Sequence, residues 1–316
     1  MSPRLPNFFI VGTGKAGTTS LYRYLRQHPE IYMSPVKEPA YFASEIRAEA
    51  LSQPLLRHVG LQSRELPKVL NDGGTYKPFG WIAGEWEDYE RLFRAAREET
   101  AIGEASAAYL WSPTSASNIH ARLPDARIIM ILRDPAERAF SQYLHQLSVG
   151  LTGATFRQHL EACALGGERK LSTTYPFLEI GLYYEQVKRF LELFPRSQIR
   201  IYWYEEAWRE PATLLADVFR FLNVDDTFRP DFSRHAHQRR APRFVTLHHF
   251  MKSSGLWNPA KALIPLGAIS RLRKLAFRAG PSLTMDPADR QYLVDYYRDD
   301  IRRISSLLDR DLTSWL

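Results

Sequence analysis

The chain has 316 residues, of which 45% are hydrophobic, and 42 Lys and Arg residues against 35 Asp and Glu residues give a formal charge of +7. This composition excludes a disordered or collagen-like chain, because there is enough apolar material for a sizeable core. The single cysteine, Cys163, excludes an intramolecular disulfide and a zinc site built from several cysteines.

No apolar run approaches the roughly 20 residues that a membrane helix needs. The N-terminal FFIV is too short for the core of a signal peptide, and the later run ALIPLGAI is interrupted by Pro265 and Gly267. We therefore expect a cytoplasmic protein without an integral membrane segment. The length is compatible with one α/β domain over residues 1–316.

Strand and helix patterns alternate along most of the chain, which predicts a parallel sheet flanked by helices. The predicted strands are residues 8–12, 100–105, 126–132 and 198–204. The predicted helices are residues 20–28, 85–96, 135–148, 183–194 and 212–222, followed by a long C-terminal helix in which Leu293, Tyr297, Ile301, Ile304 and Leu308 mark one buried face.

Two regions are less regular. Residues 45–86, with the turn residues NDGG inside them, are interpreted as an insertion over a site. Residues 234–287 are basic and partly amphipathic. They form either a solvated surface helix or a lid-like segment that meets an acidic or amphiphilic partner.

The sequence GTGKAGTTS at residues 12–20, the phosphate loop, joins the first predicted strand to the first predicted helix. Backbone N–H groups and the positive end of a helix dipole converge at such a position, which favours a bound phosphate. The loop shares the glycine spacing of the pattern GxxxxGK[ST], but Thr18 stands where that pattern has lysine, and Lys15 lies in mid-loop. It therefore suits a 5′-phosphate with one adjoining group better than a magnesium-bound triphosphate. A purely structural glycine-rich turn is the alternative.

A second strand and helix carry RDPAERAFSQY. Arg133 follows the strand directly, and Ser141 lies about two turns into the next helix. Ligands bind at this edge of open α/β sheets, where a guanidinium and a hydroxyl can hold a second phosphate. Alternatively, Arg133 pairs with Asp134 or Glu137, and Ser141 is an ordinary helix residue.

The segments IVGTGKAGTTSLYRYLRQHPEI, KEPAYF and ILRDPAERAFSQY, in this order, resemble the sulfotransferases that use 3′-phosphoadenosine 5′-phosphosulfate (PAPS). The similarity is to the branch of heparan-sulfate-type and bacterial carbohydrate or small-molecule enzymes, and it continues through GEASAAYL and IGLYYEQVKRFLELFP over most of the chain. It implies a three-layer α/β/α sandwich with a central parallel sheet, the P-loop-like sulfotransferase fold. It also implies sulfuryl transfer from PAPS to a hydroxyl or amine of a carbohydrate or small-molecule acceptor, without a metal ion.

The resemblance further implies roles for single residues. The 5′-phosphosulfate is expected on Lys15, Ala16, Gly17, Thr18, Thr19 and Ser20, and the 3′-phosphate on Arg133 and Ser141. Lys15 is expected to stabilise charge on the leaving oxygen, and Glu38 to remove the acceptor proton. The alternative for Glu38 is a cap or a surface partner of Lys37. Tyr183, with Gly181, is expected to line the junction of donor and acceptor unless it belongs to the core.

The sequence departs from that branch in two places. Ala105 stands where the branch has a lysine after the glutamate of GEASAAY, which weakens the expectation of a polysaccharide acceptor and leaves more of the charge to Lys15. The C-terminal cofactor loop is not plainly reproduced. In HQRRAPRF, Arg239, Arg240 or Arg243 either bind the nucleotide or form a solvated turn.

Other assignments stay open at this stage. His145, four residues after Ser141, is the reserve candidate for the base, and the histidines show no metal-binding spacing. A P-loop kinase is opposed by Thr18 and by the lack of a clear metal-binding carboxylate strand. A nucleic-acid-binding protein is opposed by the modest charge and by the lack of a recognition module, so no nucleic-acid partner is expected. The sequence fixes neither the acceptor nor the oligomeric state.

Overall fold

The computed structural model describes residues 4–56, 84–165, 170–233, 249 and 284–316, together with the backbone of three two-residue strands. The strands are β1 (Phe8–Gly12), β2 (Ile31–Met33), β3 (Val36–Lys37), β4 (Lys77–Pro78), β5 (Ala101–Ala105), β6 (Arg127–Leu132), β7 (Ile199–Trp203), β8 (Ala241–Pro242) and β9 (Phe277–Arg278). The main helices are α1 (Thr18–Leu25), α2 (Trp86–Arg91), α3 (Ser115–Arg122), α4 (Pro135–Val149), α5 (Phe156–Ala164), α6 (Tyr183–Leu193), α7 (Tyr204–Ala207), α8 (Pro211–Leu222) and α9 (Pro287–Leu308).

A five-stranded parallel sheet in the order β2-β5-β1-β6-β7 forms the centre of the fold. Its central strand β1 pairs through Phe8 with Gly103 of β5 and with Arg127 of β6. Every residue of β1 is buried, which explains why its sequence is a continuous apolar run. The predicted α/β sandwich around a parallel sheet is therefore confirmed.

The two faces of the sheet carry separate apolar clusters, because successive side chains of a strand point to opposite faces. Phe9 and Val11 face one cluster, where α3, α4, α6 and α9 pack. Phe8 and Ile10 face the other, which is covered by α1 and α8. Helices thus lie on both faces of the sheet.

Local capping signals set the boundaries of α4. The side chain of Asp134 accepts the backbone N–H groups of Ala136 at 2.8 Å and Glu137 at 3.3 Å, and Pro135 occupies the first helical position. The helix ends at Gly150, whose φ of 77° lies in the left-handed region. This rigid helix begins immediately after Arg133.

The predicted strands and helices agree with the structure to within one or two residues at most ends, with one clear difference. The helix predicted for residues 85–96 ends at Arg91, and turns carry the buried Leu92 and Phe93. Sequence reasoning did not identify β2, α3 or α5. In the C-terminal helix Leu293, Tyr297, Ile301 and Ile304 are buried as expected, whereas Leu308 is half-buried.

Most of the two irregular regions, residues 45–86 and 234–287, lies outside the described residues, so their roles as insertion and lid-like segment stay predictions. The backbone of Ala241–Pro242 lies against α4. None of the helices in the described part of the chain has the length and apolarity that a membrane span requires.

Candidate active site

Four neighbouring strands deliver their carboxyl ends, and the loops that follow them, to one edge of the sheet. β1 leads into the phosphate loop, β5 into Ser106 and Ala107, β6 into Arg133, and β7 into the short helix α7. Because the strands are parallel, these segments meet where ligands of open α/β sheets bind.

The phosphate loop has the backbone of an anion-binding turn. Lys15 and Gly17 have φ values of 71° and 84°, and α1 begins at Thr18 without a side-chain cap. The N–H groups of Thr18 and Thr19, the first two helical residues, precede any acceptor within the helix and carry the positive end of the helix dipole, whereas the N–H of Ser20 donates to the carbonyl of Gly17 at 2.9 Å. A Cβ at Gly17 would lie 2.2 Å from the indole nitrogen of Trp208, whereas one at Gly14 would meet nothing within 4 Å.

Two side-chain donors, from Arg133 and Trp208, form hydrogen bonds to backbone carbonyl groups of the phosphate loop. Arg133 Nη1 donates to the carbonyl oxygen of Lys15 at 3.0 Å, and Trp208 Nε1 donates to that of Ala16 at 3.2 Å. The carbonyl of Ala16 and the N–H of Gly17 belong to one planar trans peptide, so they point in opposite directions. The N–H of Gly17 is thereby directed away from the indole of Trp208.

Arg133 is nearly buried, with 4% exposure, and its guanidinium lies 4.4 Å from the ring centre of Tyr204. Its Nη2 is 3.6 Å from Glu137, so one of the pairings considered from the sequence is present. Asp134 instead caps α4 and pairs with Arg290 at 2.9 Å. The buried Nε of Arg133 has no hydrogen-bond partner within the described part of the chain. An anionic ligand could accept a hydrogen bond from this group.

Thr13 also has a buried side-chain donor without a hydrogen-bond partner in the described part of the chain. Its side chain is fully buried, and its hydroxyl oxygen lacks a hydrogen-bond partner among the described residues. Its backbone N–H donates to Ile131 at 2.8 Å, which ties the loop to β6. The base of the phosphate loop thus combines a backbone tied to β6 with a buried hydroxyl group that lacks a partner among the described residues.

Glu38 lies on the other side of the loop, just after β3. Its Oε2 accepts the backbone N–H of Ala107 at 3.0 Å, and its Oε1 pairs with Lys37 Nζ at 2.9 Å. The Glu38 side chain is 25% exposed and that of Lys37 only 1%. Pairing with Lys37 was the alternative to a catalytic role for Glu38. The structure shows this ion pair, and it also places Glu38 at the edge of the sheet beside Ala107. The carboxylate is thus held in place at both oxygens and is partly exposed to solvent.

Sequence reasoning missed Glu104, the most deeply buried carboxyl group near the site. It accepts hydrogen bonds from Tyr109 at 2.7 Å, Ser106 at 2.9 Å and Tyr89 at 3.1 Å. Desolvation by complete burial raises the pKa of Glu104 to about 7, which the three hydroxyl donors only partly offset and the nearby charge of Glu38 reinforces. The available signal was a glutamate inside an otherwise apolar predicted strand, since carboxyl groups are seldom buried without partners.

The remaining predicted residues differ in their placement. Ala16 and Thr18 are buried in the loop, whereas Lys15, Gly17, Thr19 and Ser20 are half-buried. Ser141 is half-buried two turns into α4, and His145 is exposed farther along it. Arg239, Arg240 and Arg243 lie outside the described residues.

Tyr183 is fully buried, and its hydroxyl donates to the carbonyl oxygen of Arg133 at 2.8 Å. The structure thus places it behind Arg133 in the core, which was the alternative for this residue. Its contact with an acceptor stays a prediction. Ala105, at the position of the missing lysine, is also fully buried, and the buried cation beside Glu38 is that of Lys37.

Comparison with known proteins gives one consistent result. Residues 6–228 match the model of the sulfotransferase family. The chain is 28% identical over 320 residues to the mouse (Mus musculus) bifunctional heparan sulfate N-deacetylase/N-sulfotransferase 4, covering 99% of this chain and 31% of the relative. Mouse carbohydrate sulfotransferase 15 is 26% identical over 70% of this chain and 44% of its own length. The chain therefore spans less than half the length of these curated relatives.

A solved structure matches over the whole chain. The crystal structure of a sulfotransferase from Alicyclobacillus acidocaldarius superimposes with a TM-score of 0.72 at 30% sequence identity, covering 99% of each chain.

Proposed function

The chain belongs to the sulfotransferase family, and we propose that it transfers a sulfuryl group from PAPS to a hydroxyl or amine of a carbohydrate. One arrangement carries this proposal. The phosphate loop is flanked at the same sheet edge by Arg133 after β6 and by the open carboxylate of Glu38 near the end of β5. Two anion-binding elements next to a base match the needs of a doubly phosphorylated donor and a nucleophile that must lose a proton.

In the proposed reaction the acceptor oxygen or nitrogen attacks sulfur as the bond from sulfur to the bridging oxygen breaks. Glu38 takes the acceptor proton. Lys15 and the amides of the phosphate loop stabilise the negative charge that develops on the bridging oxygen, which leaves with adenosine 3′,5′-bisphosphate (PAP). Arg133 and Ser141 hold the 3′-phosphate and so fix the line of attack. The scheme needs no metal ion, because these donors meet the charge of the leaving phosphate.

Binding of the donor is tested by calorimetry with PAP in the presence of EDTA. We expect saturable binding without magnesium, and weaker binding of ATP with or without magnesium. Tighter binding of magnesium ATP would point to a kinase, and a salt-sensitive shift with DNA or RNA in place of PAP binding would point to a nucleic-acid-binding protein. Either result would overturn the proposal.

The role of Glu38 is tested by Glu38→Gln with radiolabelled PAPS. We expect PAP affinity within about twofold of the wild type, and loss of turnover by at least about 100-fold, the scale of general-base catalysis. Glu192→Gln serves as the control, because Glu192 is exposed and pairs with Lys188 along α6. Near-normal turnover of Glu38→Gln would assign the base to another group such as His145.

A carbohydrate acceptor is supported by the names of the relatives, which specify heparan sulfate and carbohydrate as the molecules that they modify. The acceptor screen uses de-N-sulfated heparin to offer amines, chondroitin sulfate to offer hydroxyls, and p-nitrophenol as a small molecule. Transfer to p-nitrophenol alone would contradict the carbohydrate assignment.

A further inference from the structure

Glu104 lies at the penultimate position of β5, and its carboxyl group is fully buried. Among the described residues it has three hydrogen-bond donors, the hydroxyl groups of Tyr89, Ser106 and Tyr109. Burial of a carboxyl group is costly even when it is hydrogen-bonded, so the residue calls for an explanation beyond packing.

Two of the three hydroxyl groups also accept a backbone N–H from the segment that follows Glu38. Ser106 Oγ donates to Glu104 and accepts the N–H of Ala40 at 3.0 Å. The hydroxyl of Tyr109 donates to the same carboxyl group and accepts the N–H of Phe42 at 3.3 Å. Each hydroxyl therefore links Glu104 to the chain just beyond Glu38.

The segment after Glu38 needs such support. Ala40 has a φ of 53°, a left-handed conformation that costs a residue other than glycine about 1 kcal/mol and persists only where contacts enforce it. The N–H of Ala40 is the group that Ser106 accepts. The strained backbone two residues after Glu38 is thus tied directly to the side chain that Glu104 orients.

Glu38 itself is held by the same turn. Ala107, whose N–H donates to Glu38 Oε2, lies between Ser106 and Tyr109, and the N–H of Tyr109 donates to the carbonyl of Ser106 at 3.1 Å. One four-residue turn therefore contacts Glu38, Ala40 and the segment at Phe42.

We propose that Glu104 is a positioning residue for Glu38, acting through the hydroxyl groups of Ser106 and Tyr109 to hold the Glu38 segment at the sheet edge. This inference rests on the proposed role of Glu38 as the base. A free hydroxyl rotates, whereas one that donates to a fixed carboxyl oxygen presents its lone pairs in a fixed direction. Glu104 therefore sets the direction in which the hydroxyl groups of Ser106 and Tyr109 accept the N–H groups of Ala40 and Phe42. This matters for turnover because a catalytic base displaced by about 1 Å loses much of its rate enhancement.

Tyr89 provides a matched control. Its hydroxyl donates to the same Oε1 atom of Glu104 as that of Tyr109, and both side chains are fully buried. Of these two tyrosines, and among the described residues, only Tyr109 also accepts a backbone N–H of the Glu38 segment through its hydroxyl. A positioning role predicts different effects of Tyr89→Phe and Tyr109→Phe on turnover, whereas a purely structural role predicts effects that follow the loss of stability.

The test measures kcat, the KM for PAPS, PAP affinity and thermal stability for Tyr109→Phe, Ser106→Ala, Glu104→Gln and Tyr89→Phe. Turnover is measured as PAP release, first with de-N-sulfated heparin and then with the most active acceptor of the screen. We expect kcat to fall at least tenfold in the first three variants, with the KM for PAPS and PAP affinity within twofold of the wild type. Tyr89→Phe should keep kcat within threefold of the wild type.

A crystal structure of each tyrosine variant with PAP adds a readout that needs no acceptor. The Glu38 carboxylate should leave the N–H of Ala107 in Tyr109→Phe and keep that hydrogen bond in Tyr89→Phe. Equal kcat in the two tyrosine variants, or an unmoved Glu38 in Tyr109→Phe, would overturn the inference.

Glu38→Gln in the same assays separates this inference from the proposed function. Undiminished turnover of Glu38→Gln refutes the base assignment itself. Lost turnover of Glu38→Gln, combined with wild-type kcat in Tyr109→Phe and Ser106→Ala, refutes only the role of Glu104.

Discussion

Replacing Glu104 by glutamine tests how burial sets its protonation. Desolvation raises the pKa of Glu104 from 4.5 to about 7 in the folded protein. Between these values the folded state binds more protons at this position than the unfolded state, so stability falls as pH rises. The stabilisation is fully present below about pH 4.5 and is lost as pH passes through about 7. Its size is roughly 3 kcal/mol of unfolding free energy.

Glutamine keeps the shape of the side chain but does not titrate. We therefore expect the stability of the wild type, relative to Glu104→Gln, to fall by roughly 2 to 3 kcal/mol between pH 5 and pH 8. Asp300, whose pKa burial raises to about 6, gives a slope of the same sign in both proteins and cancels in the difference.

Urea unfolding followed by far-ultraviolet circular dichroism at several pH values measures this difference. Glu192→Gln, with its exposed side chain, should give a profile parallel to that of the wild type. Parallel profiles of the wild type and Glu104→Gln would show that Glu104 has an ordinary pKa, and the reasoning from its burial would be wrong.

Three further predictions concern the supports of the phosphate loop and of α6. Arg133→Ala should weaken PAP binding by about 100-fold in calorimetry, because it removes a charged donor to the ligand and the contact with Lys15. Unchanged affinity would contradict the assignment of Arg133 to the 3′-phosphate. Trp208→Phe should weaken PAP binding by about 1 kcal/mol in the same assay, because it keeps an aromatic ring but loses the hydrogen bond to the carbonyl of Ala16. An affinity equal to that of the wild type would mean that this hydrogen bond does not shape the phosphate loop. Asp300→Ala should lower the free energy of unfolding, measured in urea, by about 1 to 2 kcal/mol, because Asp300 accepts two backbone N–H groups at the start of α6. An unchanged free energy of unfolding would mean that water replaces the Asp300 carboxylate as acceptor.

One helix, α5, could have been predicted from the sequence and was not. α5 begins with a capping box in which Thr155 accepts the N–H of Gln158 and the Gln158 side chain accepts the N–H of Thr155. That pattern is visible in the sequence. In contrast, β2 has only three residues and gains its identity by pairing with β5, so no local pattern of adequate length marks it.

The sequence by itself determined the central strands and the phosphate loop. FFIVG of β1 and IIMIL of β6 are apolar and buried throughout because both faces of these strands are covered, so consecutive residues of the sequence must be apolar. Gly17 is similarly local, since its positive φ belongs to the turn.

Only the tertiary structure decided which side chains support the site. Arg133 reaches Lys15 across 118 residues of sequence, and Ala107 reaches Glu38 across 69. These contacts depend on the order in which β5, β1 and β6 lie side by side, and on where the loop after β3 returns to the sheet. Burial of Glu104 depends on the same arrangement, because two of its hydroxyl partners come from the turn that follows β5 and the third comes from α2. Local residue patterns encode which segments form strands, whereas the distances between their ends follow from packing the whole sheet.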